Sequence, residues 1–506
     1  MTEREKNSMT STTEYDVLVA GAGPVGLMLA IELRLAGADV LVVERRESPD
    51  PAVKAEGMNI ASAEALDRRG LLPEVEAVLA RLFPAARAAG AARGNYAPFA
   101  GHFGGIQVPA APIDRDDFLL VGRGQSGWNL QIPQIEVERI LGRRAAELGV
   151  EVRRGVQVRG LDDDGAGVTV SLDGGPGVRA AWLVGCDGGR SLVRRLAGFE
   201  FTGTDPEITG RQGVFTVDGA EGLKRGWQHT AAGLYVCGPM PGRLRTIEFD
   251  GPPIDRDAPV TAAEMEDSVR RVSGVDVRIT GIISAARFTD NARQATTYRR
   301  GRVLLCGDAA HVHSPFSGQG MNLGLGDAVN LGWKLAATVQ GWAPDGLLDT
   351  YTSERHPIGA WVLDWTRAQV AVMRGDAQST ALRGVLTDFL GTRDGATHFV
   401  KRVSGLWQRY DFGDDHPLVG ATMPALPLVG GARLADHAHG GHTLLVTDDD
   451  RLAALAEPYA GRLQLVRGDS GVGNLLVRPD GFVAWASDDG SDHAGLAAAL
   501  TRWLGR

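Results

Sequence analysis

The sequence predicts a mixed α/β and α+β chain: a Rossmann-like domain, an inserted mixed sheet, and a compact α/β unit at the C-terminal end. Three observations carry this. A β-branched run, Asp16 to Ala20, opens into Gly21-Ala22-Gly23-Pro24-Val25-Gly26 and a helical pattern through Leu35, with a second strand at Asp39 to Val43; this is the order of a βαβ unit. Strand-like runs then crowd residues 200–297. After Asp411 the texture turns rich in Gly, Pro and His before two further strand-like runs and a terminal helix.

A chain of 506 residues exceeds one ordinary core, so two to four domains are expected. The pattern divides it into a disordered tail at 1–14, a first domain at 15–199 that resumes at 298–412, a middle sheet at 200–297, and a last domain at 413–506. Within the first, Val150 to Val158, Val168 to Leu172 and Ala181 to Cys186 read as alternating strands. The middle section offers strands at Gly213 to Val217, Gly233 to Cys237 and Arg243 to Phe249, with a helix near Thr261 to Val272. A buried strand at Arg302 to Cys306 and a helix at Met321 to Val339 return to the first domain, and Leu347 to Trp407 is helix-rich. The last domain shows strands at His442 to Thr447, Gly473 to Val477 and Phe482 to Trp485, and a helix at Ala494 to Trp503.

Composition excludes several classes. A net charge of −9 argues against nucleic acid or an anionic membrane as partner, which would need a dominant basic face. Cys186, Cys237 and Cys306 form no C-x-x-C pair and no zinc-ligand spacing, which fits a reducing cytoplasm. The first fourteen residues lack the apolar core of a secretory signal. The longest apolar stretch, Val17 to Leu35, contains Glu32 and Arg34 and is broken by glycines, so it does not read as a membrane span.

In a G-x-G-x-x-G turn the glycines permit a tight bend, close backbone approach to a pyrophosphate and helix packing, while the helix amides hold the anion. Glu44 ends the second strand at the distance expected for a carboxylate gripping a ribose. Two later turns each follow a strand: Cys186-Asp187-Gly188-Gly189-Arg190-Ser191 and Gly307-Asp308-Ala309-Ala310-His311. Alone, each is an Asp-capped turn. Gly318-Gln319-Gly320-Met321-Asn322 starts a helix, so unpaired N–H groups and partial positive charge face outward there.

With these motifs in this order the chain resembles the group A FAD-dependent aromatic monooxygenases, the para-hydroxybenzoate hydroxylase and phenol hydroxylase family, over most of residues 15–365. Within it the chain is most similar to the aromatic polyketide hydroxylases and rifampicin monooxygenase, whose thioredoxin-like C-terminal domain without redox cysteines corresponds to the last domain here. The resemblance implies FAD, with NADPH or NADH as electron donor and O2 as co-substrate. It places the ADP half of FAD on Gly21, Ala22, Gly23, Pro24, Val25, Gly26, Glu44 and Arg45, with Gln134 and Val158 nearby. Asp187 and Gly188 resemble the family's DG motif, and Gly307 and Asp308 its GD motif, with Asp308 on the ribitol. Pro315, Gly318, Gly320, Met321 and Asn322 then face the isoalloxazine. Lys54 is either a charge near the diphosphate or a solvated surface lysine. Ala61 stands where some relatives have arginine, a departure that weakens the case for tight FAD or NADPH binding.

The resemblance further implies a flavin C4a-hydroperoxide that oxygenates an electron-rich carbon in a shielded cavity. No protein nucleophile is assigned. The cavity is expected between flavin and middle sheet, with His102, Phe103, Trp227, His229, Tyr235, Pro239, Arg245 and Phe288 as candidate walls and a bulky polycyclic, polyketide-like aromatic as substrate. His311 and His313 read as loop-shaping residues and His437, His439 and His442 as an exposed loop, so no metal site is expected. Baeyer–Villiger insertion, epoxidation and non-catalytic flavin or drug binding remain alternatives. A flavin halogenase is disfavoured because W-x-W-x-I-P is missing. The expected assembly is a monomer or homodimer.

Overall fold

A computed structural model describes residues 15–50, 54–84, 99–123, 129–173, 175–238, 240–255, 258–425, 431, 433–468 and 471–505. The expected tail at 1–14 and the candidate Pro239 lie outside them.

The first sheet has eight strands. Val303–Leu305, Val178–Gly185, Tyr15–Ala20, Val40–Glu44 and Glu151–Arg154 lie side by side in that order, all parallel, with antiparallel additions at Arg299–Arg300, Val168–Leu172 and Val158–Asp163. Parallel strands are covered on both faces, which is why the central ones read as unbroken apolar runs; Val17, Leu18, Val19, Leu41 and Val42 are wholly buried. The helix Pro24–Leu35 starts with proline in its first turn and buries nine of its residues, Pro24, Gly26 to Leu33. It packs on the long helix Gln319–Val339.

The middle of the chain forms a separate five-stranded antiparallel sheet in the order Gly226–Thr230, Gly233–Cys237, Arg243–Glu248, Thr209–Asp218, Arg278–Phe288. The helix Ala262–Ser273, capped by Thr261, covers one face. A third small sheet joins Phe201–Thr204, Ala292–Ala295 and His311–Val312 and bridges the two larger ones.

Two expectations change here. Val150 to Val158 is not one strand: Gly155 turns at φ +72° and separates Glu151–Arg154, on the parallel sheet, from Val158–Asp163. The eleven-residue strand Arg278–Phe288 was not anticipated, because Gly281, Ser284 and a half-exposed outer face break its alternation.

Beyond this lie the helices Thr350–Met373, Ala377–Leu390 and Arg393–Val403. The C-terminal unit is a four-stranded sheet in the order Leu463–Val466, Thr443–Val446, Asn474–Val477, Val483–Ser487; the first pair is parallel and the others antiparallel, a thioredoxin-like arrangement. Its core, with Trp485 and Trp503, is continuous with Leu323, Trp333 and Val362 of the preceding helices. Among the described residues no helix is long and apolar enough to cross a membrane.

Candidate functional site

The three turns singled out by sequence meet at the carboxyl ends of the parallel strands. Gly21 has φ +114°, and a Cβ there would strike the Cys186 carbonyl, so the first turn lies directly against the second. Gly26 is needed for packing, since its Cβ would strike the Gly21 carbonyl. Gly23 differs. Its φ of −75° suits any residue, and no protein atom lies within 4 Å of where its Cβ would be. Nothing in the polypeptide requires glycine at that position, and the open space in front of it is what a pyrophosphate would fill. The Glu44 carboxylate accepts the Ala22 and Arg46 amides, each at 2.9 Å, at the edge of this space.

In the second turn Asp187 Oδ2 accepts the amides of Leu192 at 2.7 Å and Val193 at 3.2 Å, while Oδ1 is buried without a partner. A backbone contact and an open acceptor therefore coexist on one carboxylate. Gly188 sits at φ +82°. The third turn is tied to the second by Arg194, which donates to the carbonyls of Gly189 and Ala309 at 2.9 Å each and stacks 3.7 Å over Phe201. No motif marks Arg194; only its place among basic residues in a short helix could have drawn attention to it. Gly307, at φ +65°, gives its amide to Asp327 at 3.2 Å, and Asp327 also pairs with His311 at 2.7 Å. His311 is thus a buried structural partner. His313 is oriented by an Nδ1–H bond of 2.8 Å to the Ser314 carbonyl, leaving Nε2 buried and unpartnered; burial pushes its pKa down.

The long helix begins at Gly318 in the left-handed region, with no side-chain cap and no acid in its first turn. Its first amides and the positive end of its dipole face the same space. Ser317, at φ +63°, is the one non-glycine residue with positive φ among the described residues, and its hydroxyl lies 2.8 Å from Gln369 Oε1 and 3.0 Å from the His102 carbonyl. Asn322 holds the helix start to the neighbouring segment through Gly57 O and the Asn59 amide.

One cavity of about 1420 Å³ connects all these groups. Gly21 to Val25, Glu44, Arg45, Lys54, Gln134, Val158, Asp187, Gly188, Asp308, Pro315, Gly318, Gly320, Met321 and Asn322 line it; Gly26 and Gly307 do not, but pack against Gly21 and Val25. Lys54 is half exposed at the rim and paired with Asp50 at 2.9 Å. At the far end the cavity reaches the middle sheet, where His102, Arg245 and Phe288 line it.

The other candidate walls do not reach it. Trp227 backs His102 at 4.2 Å, Phe103 packs on Trp365, and His229 bonds the Gly104 carbonyl at 3.0 Å. Tyr235 belongs to the core beneath the helix Ala262–Ser273, because its strand position alternates to the opposite face. Sequence reasoning missed Gln212, whose Oε1 accepts from Arg245 at 2.8 Å and Arg243 at 3.3 Å. Arg243 has Glu56 as counter-charge at 2.8 Å; Arg245 has no carboxylate within ion-pair distance among the described residues, and its Nε is buried without a partner. Burial and the neighbouring Arg243 lower the Arg245 pKa to about 10. Burial and Arg245 push His102 down to about 3, so it is a neutral imidazole at physiological pH.

Residues 14–366 match the family described as FAD binding domain, and residues 416–506 match the aromatic-ring hydroxylase C-terminal family. The chain belongs to the FAD-dependent aromatic-ring hydroxylases. The hydroxylase is 37% identical to a rifampicin monooxygenase of Streptomyces venezuelae, over 97% of this chain and 99% of that one. It is 37% identical to a dialkyldecalin synthase of Streptomyces rugosporus over 97% and 98% of the two chains. An anhydrotetracycline hydroxylase from Streptomyces rimosus superposes with a TM-score of 0.85 at 38% identity, covering 97% of this chain and 99% of that one. The expected family, and with it a flavin-dependent aromatic monooxygenase using FAD, is therefore the right one. The chain's own chemistry fits the cofactor: a cradle open in front of Gly23, an uncapped helix start, and buried unpaired atoms on Asp187 and His313 along one wall.

Proposed function

We propose that this hydroxylase oxygenates a bulky polycyclic, polyketide-like aromatic, with FAD held along the three turns, NAD(P)H as reductant and O2 as co-substrate in the cytoplasm. The observation that supports this reading best is the continuity of one large cavity from Gly23, at the first turn, to Phe288, on the middle sheet. Bound FAD, once reduced, supplies the activation of O2 from which one atom goes to the substrate and the other to water.

The remaining roles belong to side chains and backbone. The amides at the start of Pro24–Leu35 and the open space at Gly23 would bind the pyrophosphate, Glu44 the ribose and Asp308 the ribitol. The helix start at Gly318 to Gly320 would stabilise negative charge on the ring. On the substrate side, neutral His102 can donate or accept a hydrogen bond but does not act as a cationic acid near neutrality. Arg245 offers a half-buried positive charge at the cavity wall to an acidic hydroxyl or carbonyl. Phe288, with Phe316 and Trp227 behind it, supplies an apolar wall that limits water.

The test is turnover under 18O2 with a panel of polycyclic phenols and quinones, read by product mass and NMR. A product gaining one labelled oxygen on a ring carbon supports the reading; oxidation of NAD(P)H that yields only H2O2 with every compound contradicts it. A lactone or an epoxide would move the assignment to the corresponding oxygen insertion. Because one relative is named a synthase and not a monooxygenase, a second reading is that this chain converts its substrate without transferring oxygen. Substrate conversion that proceeds without O2 would establish it.

A further inference from the structure

The C-terminal domain reaches the Gly307–Asp308 turn through buried charge. Arg478 donates to both Glu354 oxygens, at 2.8 and 2.7 Å, and also meets Asp480. Lys334 and Asn330, on the long helix, complete the cluster by donating to Glu354 at 2.8 and 2.6 Å. One residue on, Arg355 serves a different set of partners: Nε donates to Asp327 Oδ1 at 2.8 Å, and Nη1 to Gln408 at 2.9 Å and the Tyr410 hydroxyl at 3.0 Å. Asp327 Oδ2 in turn receives the Gly307 amide and His311. Tyr410 joins the two halves: its ring stacks on Phe482 at 4.1 Å and its amide donates to the Gly420 carbonyl at 2.8 Å, both in the C-terminal domain, while Asn330 Nδ2 donates to Asp480 at 3.1 Å.

Gly307 and His311 flank Asp308, the residue of this turn that faces the cavity, so Asp327 fixes the turn from behind at both ends. Asp327 and His311 are fully buried and Arg355 is 1% exposed. Burial alone would raise the Asp327 pKa, but His311 and Arg355 more than offset it and hold the carboxyl below its usual range. The C-terminal domain has no cysteine, so disulfide exchange gives it no role.

We propose that Asp327 is the positioning residue for Asp308 and is held through Arg355 and Tyr410 by the docked C-terminal domain, which thereby clamps the cofactor site. This rests on reading Gly307–Asp308 as part of the FAD site. The test compares wild type, Tyr410→Phe, Asp327→Asn, the double variant and Arg433→Ala, all FAD-loaded and full length. Arg433 pairs with Asp67 at another, half-exposed contact of the same domain and serves as control. The readouts are the FAD dissociation constant by flavin fluorescence, the visible circular dichroism of bound flavin, and the unfolding midpoint.

Loss of a charge-assisted hydrogen bond predicts weaker FAD binding by about tenfold in Tyr410→Phe and about a hundredfold in Asp327→Asn. The double variant should be no weaker than Asp327→Asn, since both act along one path, and Arg433→Ala should bind FAD as wild type does. Variants that lower the unfolding midpoint but keep wild-type FAD affinity and dichroism would overturn the proposal, as would losses that simply add. If Asp327→Asn does not fold, Tyr410→Phe decides alone, and wild-type affinity in it overturns the proposal. Wild-type protein that takes up no FAD would remove the reading of the site itself, and this inference with it.

Discussion

At the seam between the helix Thr350–Met373 and the C-terminal domain, Arg478, Lys334, Glu354 and Asp480 are buried and each is paired. Around the cavity, Asp187, His313 and Arg245 are half-buried, yet each keeps a buried atom with no protein partner. Buried polar atoms without partners are costly, so the paired charges of the seam need nothing further, whereas the open atoms around the cavity are places that a ligand would satisfy.

The largest effect should come from breaking the seam. Arg478→Met strands Glu354 and Asp480 with too little positive charge, and removing one partner of a buried pair costs about 3–5 kcal/mol. Denaturant unfolding of the variant measures this, and a loss below about 1 kcal/mol would mean that the seam is not the closed unit described. Adding Glu354→Leu to Arg478→Met should recover part of the loss, since matched apolar replacement is better tolerated than a lone charge.

A smaller effect sharpens the cavity side. The folded His102 pKa, about 3, lies below the unfolded value near 6.5. As pH falls below 6.5 the unfolded chain takes up a proton that the folded state refuses. The His102 contribution is therefore fully present above pH 6.5 and is lost between pH 6.5 and 3. At pH 5 the loss is about 2 kcal/mol, and His102→Phe should be spared it. Unfolding midpoints of both proteins at pH 7.5 and 5 test the sign.

The smallest effect separates the two jobs of Asp187. Ser191 is the N-cap of the helix Leu192–Leu196, so Asp187→Ala removes only the added acceptor for the Leu192 and Val193 amides and should cost the apoprotein about 1 kcal/mol, whereas Asp187→Asn keeps that acceptor and should cost little. Lower FAD affinity in both variants would assign the loss to the unpaired Oδ1 and not to that acceptor. Affinity that falls only in the alanine variant would return Asp187 to the fold.

The parallel sheet and its glycine turns were legible because their requirements are local: strand, turn and helix follow one another, and each turn shows glycine or Asp. The middle sheet was legible only in part. Arg278–Phe288 has one exposed face and polar interruptions, so its strand character comes from pairing with Thr209–Asp218. Tyr235 was misplaced for a related reason, since which face of a strand looks into a cavity depends on neighbours distant in sequence. Gln212, Arg194 and the seam residues carried no local signal at all; Arg478 and Glu354 lie 124 positions apart and acquire meaning only when the helices and the last sheet are assembled.

The central claim, that the open cradle at the first turn is shaped for the cofactor and not for the polypeptide, is tested most directly by titrating FAD into deflavinated wild type and Gly23→Ala side by side by calorimetry. Wild type should bind one FAD, and Gly23→Ala should unfold within about 0.5 kcal/mol of it while binding FAD at least about tenfold more weakly. Equal affinity in the two proteins, or no FAD uptake by wild type, would contradict the account.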